Sequence, residues 1–76
     1  AIISLNIHLQ EVINLKKHIT RQTVNIHTLD TICDRYIACG WEEVDIVGTV
    51  NHPQEVIFEW EGEGLPMYPN LSDLYS

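Results

Sequence analysis

The sequence predicts a small α+β domain: a mostly antiparallel sheet, formed by an N-terminal strand and a C-terminal hairpin, with two helices on one face in the order β-α-α-β-β. Three patterns predict it. Apolar residues alternate with polar ones near the start, recur at helical spacing through the middle, and alternate again after Gly40. A chain of 76 residues holds one core, and at this size only roughly 60% of the unfolded surface is buried. The apolar share of 45% is ordinary for a domain that folds without a cofactor.

Ile3-Ser4-Leu5-Asn6-Ile7-His8-Leu9 has the strict alternation of a half-buried strand. Leu9, Val12, Ile13, Leu15 and Ile19 then fall in one arc at helical spacing, which predicts a first helix over about 9–21. Glu11 near its start and Lys16, Lys17 and Arg21 near its end suit the helix dipole. Residues 21–26 break the period and read as a short connection. Leu29, Ile32, Cys33, Tyr36 and Ile37 form an unbroken i, i+3, i+4, i+7, i+8 stripe, the second helix. Thr28 is placed as its N-cap, Asp30 in its first turn, and Gly40 as the left-handed residue that stops it.

Beyond Gly40 the period returns to two. Val44, Ile46, Gly48 and Val50 share one face, and Val56, Phe58 and Trp60 alternate with Glu55, Ile57, Glu59 and Glu61 around a turn at Asn51-His52-Pro53. This is a β-hairpin, ended by Gly62 and Gly64. Residues 1–64 form the domain. Residues 65–76, with Pro66 and Pro69, are an irregular tail with a helical turn from Ser72 that packs on the body or docks a partner.

Catalytic and metal chemistry find little support. His8, His18, His27, His52, Cys33 and Cys39 include no pair at zinc-ligand spacing. Neither cysteine has the flanking residues of a nucleophile motif, and Gly62-Glu63-Gly64 puts an acid where a phosphate loop needs amides. The expectation is no enzyme, no metal and no cofactor. Cys33 and Cys39 lie six apart, on opposing sides of a helix and too far for a disulfide. Two reduced thiols point to a reducing, cytoplasmic setting. No apolar run reaches the ~18 residues of a membrane span, no stretch reads as a signal peptide, and a chain starting at Ala1 is expected to have lost an initiator methionine.

Charge is the informative property. The net charge is −7, yet all four cations (Lys16, Lys17, Arg21, Arg35) lie in the first forty residues, and eight of the eleven acids follow residue 41. The two parts carry +1 and −8. Such a division predicts a polarised surface. If the hairpin pairs residue 50 with 54, Asp45 faces Glu59 and Glu43 faces Glu61 on the outer face, beside Val47 and Ile57. Opposed like charges cost roughly 0.2–1 kcal/mol per pair. Either these acids are solvated and guard the sheet against aggregation, or they form a binding face. Same-face carboxylates on a strand repeat at about 6.6 Å, a step comparable to nucleic-acid charge spacing, so nucleic-acid mimicry is one form of the second reading.

In element order the chain also resembles a winged helix without its first helix, with residues 28–39 as recognition helix and 43–61 as wing. That resemblance would imply DNA binding. The helix, however, offers Asp30 and Asp34 against one Arg35, and the wing holds seven acids from Glu42 to Glu63. Counterion release cannot favour such a surface on DNA. The sequence therefore predicts a non-enzymatic interaction protein, an inhibitor or regulator that binds a basic site on a nucleic-acid-processing protein. Glu43, Asp45, Glu59 and Glu61 would supply charge, and Val47 and Ile57 apolar contact. Direct nucleic-acid and membrane contacts are not expected. The alternative is an assembly module, a homo-oligomer joined through its tail and an open sheet edge.

Overall fold

The computed structural model describes residues 16–75. Its elements are β1 (Lys16–Thr23), α1 (Leu29–Ala38), β2 (Glu42–Gly48), β3 (Pro53–Gly62) and a 3₁₀ turn at Ser72–Leu74. The three strands make one antiparallel sheet in the spatial order β1-β3-β2. This corrects the expected β-α-α-β-β order, because the described residues hold one α-helix and residues 16–21 are strand. The strand expected at 3–9, and the part of the expected first helix before residue 16, lie outside the described residues.

The correction has a local cause. Most of the apolar positions that suggested a first helix precede residue 16. Within β1 only Ile19 belongs to that set, and Ile19, Thr20 and Thr23 are β-branched, a class that favours strands. β3 supplies an unbroken partner from Lys16 opposite Gly62 to Thr23 opposite Glu55. Eight ladder positions with β3 hold residues 16–23 as strand.

The helix expected at 29–37 is present, but its start is built differently. Thr28 makes no side-chain cap bond to the helix. Instead the Asn25 Oδ1 accepts from the backbone N–H of His27 (2.8 Å) and Thr28 (3.0 Å), while the Asn25 N–H donates to Thr28 Oγ1 at 3.0 Å. These reciprocal bonds form a capping box three residues upstream of the expected cap. At the other end Gly40 adopts φ +94° and the Trp41 N–H donates to the Tyr36 carbonyl at 3.0 Å, a Schellman stop.

The core lies between α1 and the inner face of the sheet. Val24, Ile32, Tyr36, Trp41, Val56 and Phe58 are its buried residues. The Tyr36 ring stacks on Phe58 with centroids 4.2 Å apart, and Trp41 meets Tyr36 edge-on at 5.8 Å. Trp60 is partly buried beside them and carries His18 from β1 on its ring at 5.5 Å. Ile37, expected on the core stripe, is 54% exposed.

Residues 65–75 cross this core as a strap. Leu71 and Leu74 pack against it. The Trp41 Nε1–H donates to the Met67 carbonyl at 2.7 Å, Tyr68 leans on Trp41, and the Tyr75 hydroxyl donates to the Thr23 carbonyl at 3.0 Å. The Arg35 guanidinium holds both oxygens of Asp73, at 2.6 and 2.8 Å, and also reaches the Asn70 carbonyl.

Candidate functional site

The acids sit on the sheet in a register different from the expected one. The hairpin reverses at Val50-Asn51: Thr49 and His52 exchange backbone hydrogen bonds, and Gly48 pairs with Pro53. A bulge between Glu43 and Asp45 makes Val44 the extra residue of β2. Asp45 therefore faces Ile57, Val47 faces Glu55, and Glu42 rather than Asp45 faces Glu59. Glu43 pairs with Phe58, on the inner face.

The six residues expected to form one binding face are thus divided. Asp45, Val47, Ile57, Glu59 and Glu61 share the outer face, and Glu43 leaves it. On that face β1 brings cations against the acids of β3. Lys17 Nζ lies 2.9 Å from Glu59 Oε1 and pairs in register with Glu61, and Arg21 Nη1 lies 3.7 Å from Glu55 Oε1. The Glu59 hydrogen bond and the charges of Glu59 and Glu61 raise the Lys17 ammonium above its ordinary range, the field that cross-strand compensation produces. An unbroken acidic ladder at 6.6 Å steps is not formed: Glu59 and Glu61 answer Lys17.

A different acidic surface remains. On α1, Asp30, Cys33, Asp34 and Ile37 occupy i, i+3, i+4 and i+7, a second stripe beside the buried one. Glu43 reaches over from β2, so that Cys33 Sγ is 3.9 Å from Glu43 Oε1. Burial, with the charges of Glu43, Asp30 and Asp34 added to it, pushes the Cys33 thiol up to about 11. Glu42 and Asp45 are exposed on the same edge strand, but on its outer face. Among the described residues, none of Asp30, Asp34, Glu42, Glu43 and Asp45 has an ion-pair partner. The cations of β1 lie across the sheet at the opposite edge, and Arg35 is held by Asp73. Val44 and Ile46, 47% and 42% exposed, and Ile37 supply apolar surface between these acids.

Sequence reasoning passed over Asp30, Asp34 and Glu42. The signal was the four-residue spacing of the two aspartates with Ile37 three residues on. Among the described residues no group of three histidines, cysteines or acids is placed to hold a metal ion. No helix among them is long and apolar enough to cross a membrane. Comparison with known proteins finds no match, whether to a family model, to a curated protein or to a solved structure.

Proposed function

We propose that the chain is a non-enzymatic interaction module that docks a basic protein surface through Asp30, Asp34, Glu42, Glu43 and Asp45. The observation that carries this reading is the absence of any ion pair to these five carboxylates among the described residues, although cations elsewhere compensate the acids of β3. Uncompensated charge gathered at one edge steers a partner of opposite sign and selects its orientation. The exposed side chains of Val44, Ile46 and Ile37 add contact area that water would otherwise cover. Proteins that handle nucleic acid carry surfaces of the complementary kind, so inhibition or regulation of one is the role this surface suits. Two free cysteines accord with a reducing, cytoplasmic setting for that role.

The bulge at Val44 argues that the β2 edge binds through side chains rather than by adding a strand. The strap's polar groups are spent on Trp41, Arg35 and Thr23 of the same chain, which gives tail-mediated assembly less support.

The test compares the native chain with a variant in which the five acids become Asn or Gln, as bait in a lysate of the native host. A specific basic protein, identified by mass spectrometry, should bind the native bait at low salt, elute as salt rises, and be missing from the variant. Changing Glu59 and Glu61 to Gln should leave its capture intact. Capture that ignores both salt and the five substitutions would overturn the proposal.

A further inference from the structure

The first half of the strap, Leu65-Pro66-Met67-Tyr68-Pro69-Asn70, is neither helix nor strand. Its residues nevertheless set its backbone. The rings of Pro66 and Pro69 fix φ at about −65°, and each forces the residue before it to be extended. None of the six has a positive φ. These are the conditions for a polyproline II helix, which has three residues per turn and no internal hydrogen bonds.

The hydrogen bonds of the strap show that period. The Met67 carbonyl accepts from Trp41 Nε1–H at 2.7 Å, and the Asn70 carbonyl, one such turn on, accepts from Arg35 Nη1 at 3.0 Å. The body thus holds one row of carbonyls. Those of Leu65, Pro66, Tyr68 and Pro69 accept no hydrogen bond from the described residues. Side chains divide by the same spacing. Pro66 and Pro69 share one edge and are partly buried. Leu65 and Tyr68 share a second edge, 87% and 58% exposed, and Met67 on the third is 71% exposed.

We infer that Leu65–Pro69 is a docking peptide displayed in polyproline II form, taken on its Leu65/Tyr68 and Met67 edges by a groove of tryptophan and tyrosine side chains on a partner protein. Flat aromatic rings fit between the ridges of such a rod, and their N–H and O–H groups reach its free carbonyls. Trp41 makes the same kind of contact within the chain: its indole donates to the Met67 carbonyl and its ring meets Tyr68 at 5.2 Å. Because the body already orders the rod, a partner need not meet that entropy cost again. The proline edge faces the body, and a groove that takes two edges of a three-edged rod leaves the third to it. This surface is distinct from the five carboxylates and does not depend on the basic-partner reading.

The test titrates the isotope-labelled full chain with a panel of domains that bind proline-rich peptides through aromatic grooves, WW domains among them. At least one should bind, shift the Leu65 and Met67 methyl resonances, and be displaced by a proline-rich peptide that fills its groove. Leu65→Ser combined with Met67→Ser, both at exposed positions, should weaken that binding about tenfold, the loss expected from removing apolar contact of this size. Urea unfolding of the double variant should match that of the native chain. The Trp41 indole proton should stay protected from exchange in the complex, since the strap remains on the body. A panel without a binder, or binding indifferent to the double substitution, would overturn the proposal. Loss of indole protection on binding would overturn it too, because the strap would then have left the body. None of these outcomes touches the acidic surface, which the five-acid variant tests separately.

Discussion

Cys33 reports the acidic surface most directly. Its thiol lies partly buried under Glu43, with Asp30 and Asp34 on neighbouring positions of the same helix. Both burial and negative charge disfavour the thiolate, the reactive form. In a Cys39→Ser background, alkylation of Cys33 should be slow at pH 8 and should rise towards pH about 11. Glu43→Gln removes one of the charges, so the rate at pH 8 should increase and the midpoint should fall. A midpoint unchanged by that substitution would place Glu43 away from the thiol. At the same scale, Tyr36 shows how a polar group is kept in an apolar layer. Burial raises its phenol above the ordinary range, and its hydroxyl donates to Gln22 Oε1 at 2.9 Å.

At the scale of elements, the hairpin turn governs which acids meet which neighbours. Gly48 takes φ +113°, and a Cβ there would stand 2.4 Å from the His52 carbonyl oxygen and 2.9 Å from the Gln54 nitrogen. Those are backbone atoms of the turn and of the opposing strand, so they cannot yield without disturbing the hairpin. Gly48→Ala should therefore cost more than about 1 kcal/mol in urea unfolding. Amide exchange in β2 should also accelerate, because the β2–β3 pairing would be strained. A variant of native stability would mean that the reversal does not depend on this left-handed residue. The ends of α1 are more local in origin. Asn25 with Thr28, and Gly40 with Tyr36 and Trp41, act within a few residues of each other.

Across the whole molecule, charge is sorted by edge: β1 carries Lys16, Lys17 and Arg21, β2 carries Glu42, Glu43 and Asp45, and β3 between them pairs its acids with β1. The strap joins distant parts of this arrangement through Arg35 and Asp73. The Arg35 hydrogen bonds hold the Asp73 carboxyl below its ordinary value of 3.8. A carboxyl depressed on folding stabilises the fold fully above its unfolded value, and that contribution disappears as pH falls below 3.8 through the lowered folded value. The pair is exposed, so the expected loss is small. It is best read at the Trp41 indole proton, which donates to the Met67 carbonyl under the strap. Its protection from exchange, taken relative to the intrinsic rate at each pH, should fall in acid, and Asp73→Asn should produce the same fall at neutral pH. An indole proton indifferent to both would show that the Arg35–Asp73 pair does not hold the strap in place.

The sequence by itself determined the helix at 29–38, the hairpin and the inner positions of Val56 and Phe58, since each is written in periodicity or capping chemistry that acts over a few residues. It also carried the separation of cations from acids. Only the tertiary structure decided that Lys16–Thr23 is a strand, because its partner lies about forty residues away in β3 and supplies the ladder. Register was decided in the same way, by Gly48 and by the bulge at Val44, which move Glu43 to the inner face and bring Glu42 opposite Glu59. Which carboxylates stay uncompensated follows from that pairing. Residue types alone do not state it, because Coulomb interactions depend on distances that folding sets.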